Sequence, residues 1–242
     1  MIGKVSIGLA LGTCIVISQM AVAPAASAAS LKVTVGSIKN DRAIPAKYTF
    51  CVAAAQGHTG PGPNFNPSIK WSKGPAGTKS YAVIVFDPDV PINRATMNKE
   101  GAPISPSEPR RTFYHLLLVD IPPDVRSIAE GALSNARVAR GKPATQVKTG
   151  IPGLNDYTPV MAANEAMKGN YYGYDGMCPP WNDETAHHYH FAVYALSVPK
   201  LDIKPDFNGT DATSAIKDKI LAQGEVVGLY SQNPDVIAKL PK

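Results

Sequence analysis

Three short stretches of this 242-residue chain collect the side chains able to do chemistry. Asp87-Pro88-Asp89-Val90-Pro91 follows the apolar run Tyr81–Phe86. Pro88 lacks a donor and is expected to end that strand, leaving Asp87 at its terminus and Asp89 in the turn. His115 sits inside Phe113-Tyr114-His115-Leu116-Leu117-Leu118-Val119. Period-two alternation puts Phe113, His115, Leu117 and Val119 on one face, so His115 is a hydrogen-bonded core residue or a pocket wall. The third stretch runs Gly173-Tyr174-Asp175-Gly176-Met177-Cys178-Pro179-Pro180 and is followed by His187-His188-Tyr189-His190-Phe191. Alternation faces His187 with Tyr189, and His188 with His190. Gly173 and Gly176 are expected to let backbone amides approach a bound group. The prolines stiffen that loop, and one is a candidate for a cis bond.

These residues fit no catalytic motif. Four of the five histidines lie in two strands, which raises a metal site, but no third ligand accompanies His188 and His190 at a zinc-type spacing. No metal and no other cofactor is expected. The Gly-x-Ser-x-Gly elbow of serine hydrolases is missing. Cys178 near His187 is conceivable as a nucleophile, yet a thiol between Met177 and two prolines more often packs. No catalytic residue is assigned. Imidazoles, a phenol and carboxylates beside a Gly/Pro loop suit binding better than turnover.

The elements that must position these groups are strands. Hydrophobic residues make up 44% and charged residues 18%, which excludes a disordered tail and a coiled coil. Twenty Gly, 22 Pro and 7% aromatics favour a loop-rich β body. Leu31–Val35, Tyr81–Phe86, Phe113–Ile121, His188–Val198 and Glu225–Tyr230 read as strands bounded by turn residues. Ala215, Ile216, Lys219, Ile220 and Gln223 follow a helical period, with Thr210 or Asp211 as N-cap and Gly224 as the stop. A shorter helix is expected within Pro159–Lys168. The segments 56–78, 88–111 and 122–187 read as long loops, a length usual for functional loops. The net charge of +5 is scattered, its densest clusters being pairs such as Arg110-Arg111, so nucleic acid is not an expected partner.

The first 28 residues stand apart. Lys4, the apolar stretch Val5–Val22 and the small residues Pro24–Ser30 describe a secretory signal peptide cleaved after Ala28. Ser18 and Gln19 interrupt the apolar run, which falls short of a membrane span, so no transmembrane segment is expected after cleavage. The remaining 29–242 reads as a single exported domain, periplasmic or secreted. Two cysteines stay with it, Cys51 and Cys178, either bonded in an oxidising compartment or packed as free thiols.

The ordered set Asp87-Pro88-Asp89-Val90-Pro91, His115 in an apolar strand, Gly-x-Cys-Pro-Pro, His187-x-Tyr189 and Tyr194-Ala195-Leu196 resembles the phosphatidylethanolamine-binding protein family, in its bacterial Raf-kinase-inhibitor-like branch. Asn66–Trp71 and Pro75–Ser80 strengthen the likeness, which spans about Leu31 to Ser231. The resemblance implies a β-sandwich of two antiparallel sheets with peripheral helices and a small anion pocket at the strand ends. It implies that Asp87 orients and polarises His115, so that this imidazole holds its proton more readily. Asp89 and Pro91 would shape one wall, Gly176, Pro179 and Pro180 another, and His187 and Tyr189 would close the site. The expected ligand is a phosphorylated head group, of a phospholipid for example, or a similar small anion, bound without turnover. A module inhibiting a protease or kinase through its long loops is the alternative, and a hydrolase a third. The chain departs from the family pattern in its longer loop from Ile92 to Arg111, in Leu116 and Met177, and in the insert Trp181–Ala186.

Overall fold

The computed structural model describes residues 1–3, 29–147 and 149–241. The expected leader, apart from its first three residues, and its cleavage site lie outside them. Among the described residues twelve strands are formed: β1 (Ala29–Ser30), β2 (Val33–Val35), β3 (Arg42–Ala43), β4 (Cys51–Ala54), β5 (His58–Pro61), β6 (Ile69–Trp71), β7 (Ser80–Pro91), β8 (Arg110–Ile121), β9 (Ser127–Ile128), β10 (Ile151–Pro152), β11 (His187–Leu196) and β12 (Ile220–Tyr230). Three short helices join them, α1 (Tyr157–Val160), α2 (Gly209–Ile216) and α3 (Pro234–Ile237). The chain is mainly β, as the turn-bounded apolar runs lead one to expect.

The main sheet has the order β1-β12-β11-β7-β8-β10, with β3 also on β12. Its four long strands pair antiparallel, whereas the two-residue strands β1 and β3 join β12 in parallel. One face packs on the three-stranded sheet β2-β6-β9, burying Val83, Val85, Leu116, Leu118, Phe191 and Val193 against Val35, Ile69, Trp71 and Ile128. The other face buries Ala82, Ile84, Leu117 and Val119 beneath Phe207, Ala212 and Ile216. Strands covered on both faces explain runs such as Tyr81–Phe86, which are continuously apolar rather than alternating.

Several boundaries differ from expectation. β7 does not stop at Asp87 but continues to Pro91, with its register broken between Asp87 and Val90 where Pro88 offers no N–H. In β8 the pairing steps from Phe86↔Tyr114 to Val85↔Leu116, leaving His115 as the extra residue of a β-bulge. The alternation therefore changes phase: Leu116 and Leu118 enter the sandwich core, while Leu117 and Val119 turn to the opposite face. The late helix ends at Ile216, because Ile220–Tyr230 is drawn into register along β11. Its N-cap is Asn208, whose side chain accepts from Thr210 and Asp211 N–H while Asp211 accepts from Asn208 N–H. Gly224 is not a helix stop but a mid-strand residue. A Cβ there would lie 2.1 Å from the Leu31 carbonyl oxygen, so only glycine lets the two segments approach. The helix expected within 159–168 contracts to the single turn α1. No peptide bond among the described residues is cis.

Cys51 and Cys178 form a disulfide across 127 residues of sequence. It ties the start of β4 to the Gly/Pro loop that precedes β11. Cys178 therefore has no free thiol with which to act as a nucleophile.

Candidate functional site

A cavity of about 400 Å³ opens where β7, β8 and β11 meet the Gly/Pro loop. β8 supplies Arg111, Phe113 and His115; β7 supplies Asp87 and Val90; β11 supplies Tyr189. Cys178, Pro179 and Pro180 form one side. Tyr157, Val160 and Met161 come from α1 and the residue after it, and Arg94, Met97 and Asn98 from the loop after β7.

The bulge aims His115 into this space and the loop fixes its ring. His115 Nδ1 lies 2.7 Å from the Asp175 carbonyl oxygen. A carbonyl can only accept, so Nδ1 carries the proton and Nε2 is left as the free position of a neutral ring. Nε2 is buried without a partner among the described residues. Burial lowers the pKa of His115, outweighing the opposite pull of Asp87. Asp87 acts in the expected direction, but burial reverses the expectation that His115 holds its proton more readily than a free imidazole.

Asp175 is itself anchored. Its carboxylate accepts from Lys142 Nζ at 2.6 Å, Asn64 Nδ2 at 2.9 Å and Asn155 Nδ2 at 2.9 Å, all buried. A buried carboxylate needs this complement of donors to remain charged. Its backbone N–H returns a bond to the His115 carbonyl at 3.0 Å.

Asp87 serves the other histidine. Its Oδ2 lies 2.7 Å from His187 Nδ1, and His187 Nε2 lies 3.1 Å from Asp183 Oδ2. Both carboxylates can only accept, so both ring nitrogens carry protons and His187 is an imidazolium. Burial pushes its pKa down, but the two carboxylates overcome this and raise it to about 9. Asp183 is also gripped by both terminal nitrogens of Arg110. The chain Arg110–Asp183–His187–Asp87 thus alternates in sign. Asp87 further accepts from Asp89 N–H at 2.7 Å and acts on the Tyr189 phenol. Burial first, then the Asp87 charge, lifts that phenol well above the usual tyrosine range.

Of the nine residues assigned to the site, Asp87, His115, Pro179, Pro180 and Tyr189 line the cavity. The other four do not. His187 is fully buried behind Asp87. Asp89 turns to His188, accepting from its N–H and its Nδ1, each at 2.8 Å. Pro91 pairs with Arg110 at the end of β7. Gly176 presents no amide to the cavity, because its N–H donates to Asn64 Oδ1 and its carbonyl accepts from Tyr157 Oη. A Cβ on it would lie 2.1 Å from the Tyr48 carbonyl oxygen, so its bareness serves backbone packing. His188 and His190 point outward to Asp89 and Glu225, and no group of three His, Cys, Asp or Glu among the described residues is arranged to hold a metal ion. Leu116 and Met177 belong to the core rather than to the cavity.

The two segments that depart from the family pattern are fastened to each other. Asn182 Nδ2 donates to the carbonyls of Thr96, Lys99 and Ala102, and its Oδ1 accepts from Asn98 N–H. Trp181 N–H donates to Asn98 Oδ1, and the Trp181 ring stacks on His58 at 3.9 Å. Ile104 is fully buried and exchanges backbone bonds with Asn182 and Glu184. The residues that sequence reasoning passed over are Tyr157, Arg94, Met97, Asn98, Asp183 and Lys142. Only Asp183, four residues ahead of His187, carried a local signal.

The family model described as phosphatidylethanolamine-binding protein matches residues 34–231. A UPF0098 protein of Aquifex aeolicus is 31% identical over 86% of this chain and 92% of its own. The UPF0098 protein YbcL of Escherichia coli is 28% identical over 85% and 90%. The crystal structure of E. coli YbcL, described as a new member of the mammalian PEBP family, superposes with a TM-score of 0.59 at 27% identity, covering 84% of this chain and 99% of that one. A PEBP homologue from Chlamydia trachomatis superposes with a TM-score of 0.54 at 25% identity, covering 84% and 97%.

Proposed function

Because the chain belongs to the phosphatidylethanolamine-binding protein family, we propose that its cavity receives a phosphorylated head group or a similar small anion and releases it unchanged. The observation that carries this reading is His115, a residue lining the cavity whose buried ring nitrogen Nε2 has no partner among the described residues. An unpaired buried polar atom costs free energy that a ligand oxygen would recover. A singly ionised phosphate can donate its P–OH to this nitrogen, and a dianion, which has no proton to give, would favour uptake of a solvent proton there by its charge. Arg94 and Arg111 add positive charge at the cavity wall, while the charge of Asp87 is offset by the His187 imidazolium.

A binding role fits the chemistry better than turnover. Cys178 is bonded to Cys51, so a hydrolase would depend on a histidine-bound water alone. The fastening of loops 92–111 and 181–186 to each other, with Arg94, Met97 and Asn98 on the cavity, favours a ligand wall over a protein-docking arm. Export is part of the same proposal. Among the described residues the first strand begins at Ala29, so cleavage after Ala28 would spare every described strand, and the disulfide suits an oxidising compartment.

Isothermal titration of the purified protein with phosphoethanolamine and with inorganic phosphate tests the site. Saturable binding is expected, weakened at least tenfold in His115→Ala. Equal affinity in the variant would overturn the reading.

A further inference from the structure

Resting on the reading of His115 as the anion-binding group, we propose that Lys142, which does not line the cavity, is a positioning residue for it. Its buried ion pair with Asp175 fixes the carbonyl that selects the His115 tautomer and balances the charge beside that ring.

One peptide unit carries the geometry. The Asp175 carbonyl accepts from His115 Nδ1 at 2.7 Å, and the N–H of the same unit, on Gly176, donates to Asn64 Oδ1 at 2.8 Å. A planar unit held at both its oxygen and its nitrogen cannot turn its carbonyl away. Asn64 is held in turn by the Asp175 carboxylate, to which its Nδ2 donates at 2.9 Å. Lys142 Nζ donates to the same oxygen at 2.6 Å, and Asn155 Nδ2 to the other at 2.9 Å. Asp175 N–H closes the arrangement by donating to the His115 carbonyl at 3.0 Å. Lys142 thus acts on the imidazole through Asp175, whose side chain and backbone are both tied down.

The pair is sealed from water. Lys142 is 3% and Asp175 0% exposed, so salt screens it little. Burying two charges costs desolvation that an apolar pair would avoid, and what these charges provide is balance. The Asp175 charge favours a protonated His115, and an ammonium set against that carboxylate opposes the pull. Asp87 on β7 is matched in the same way by the His187 imidazolium on β11. Tyr157 faces His115 from α1, and burial, then the Asp175 charge, holds its phenol neutral. Arg94 and Arg111 stand at the cavity wall. With both carboxylates matched, desolvation decides the state of the ring, which is neutral and protonated on Nδ1.

Imidazole ¹H–¹⁵N spectra of the free protein, followed from pH 8 to 4 in Lys142→Met and in Asp175→Asn, test the proposal. Lys142→Met leaves the carboxylate unbalanced and is expected to move the His115 midpoint up by about one pH unit. Asp175→Asn keeps the side-chain size, leaves the ammonium unbalanced and is expected to move the midpoint down. Opposite signs are the signature, because mere loosening of the loop would move both variants the same way. Midpoints that shift together, or that stay where they are, would overturn the inference. If Lys142→Met does not fold, Asp175→Asn decides alone, and an unchanged or raised midpoint would overturn it. Calorimetric titration with inorganic phosphate keeps the anion reading separate: in Lys142→Met the rise of affinity with falling pH should begin at a higher pH. A moved His115 midpoint with an unmoved phosphate profile would overturn the anion reading and leave this inference standing.

Discussion

Two histidines from neighbouring strands end in opposite states, and the difference lies in what faces each nitrogen. His187 is set between two carboxylates and is charged; His115 is set against a carbonyl and is neutral. Their contributions to stability run in opposite directions with pH. The folded pKa of His187 is raised to about 9, so its contribution is complete below about 6.5 and lost as pH rises through about 9, a change of about 3 kcal/mol. Denaturant unfolding between pH 6.5 and 9.5 should follow that decline, and His187→Gln should remove the slope. The variant should also be less stable by about 3–5 kcal/mol, because Asp87 and Asp183 lose the charge between them. The folded pKa of His115 is lowered, so its contribution holds above about 6.5 and is lost as pH falls. An anion reverses that bias, and phosphate affinity is expected to rise as pH is lowered from 8 to 6, which the same titrations would read. Affinity independent of pH would argue against contact with Nε2. The residues singled out both histidines and Asp87, but it was the family resemblance that paired Asp87 with His115; a partner that is a backbone carbonyl leaves no mark in side-chain types.

The elements explain why some of the site was hidden. Alternation along β11 was legible: Tyr189, Phe191 and Val193 face the core with His187, while His188 and His190 face out. Along β8 it failed at one residue, because a bulge inserts His115 without any Gly or Pro to announce it. β7 passed through Pro88 for a related reason, the lost ladder bond being absorbed by a register break. The helix expected up to Gly224 gave way to β12, where pairing with β11 outweighed a weak helical period. The insert at 181–186 showed in the sequence only as a departure from the family pattern, yet Asn182 and Asp183 are buried. Asn182→Ala should release the 92–111 loop, costing about 2–3 kcal/mol for its several hydrogen bonds. Limited proteolysis should then cut within 92–103 faster than in the parent, and equal cutting rates would refute the clamp.

At the scale of the whole molecule, a large sheet buried on both faces carries a site whose wall is bonded to a distant strand. The Cys51–Cys178 bond closes a loop of 127 residues and is expected to contribute up to about 5 kcal/mol through the entropy of the unfolded chain. Replacing both cysteines with serine should lower the denaturation midpoint accordingly. Because Cys178 and the adjoining Pro179 and Pro180 line the cavity, the same variant should bind phosphate more weakly. Stability unchanged by the double replacement would contradict the entropic contribution. The fold was readable from turn-bounded apolar runs and from five motifs in order. The bond was not, since its two partners are far apart in sequence and free thiols fit equally well there.

The central claim is that His115 Nε2 waits, unpartnered, for the anion. Imidazole ¹H–¹⁵N spectra with phosphoethanolamine and inorganic phosphate added in turn address it most directly. The free protein should give the neutral Nδ1–H form for His115 and the doubly protonated form for His187. Saturating ligand should shift His115 Nε2 toward the hydrogen-bonded or protonated position while leaving His187 in place. Spectra in which His115 Nε2 is unmoved by every one of these anions, or already protonated without them, would contradict the account.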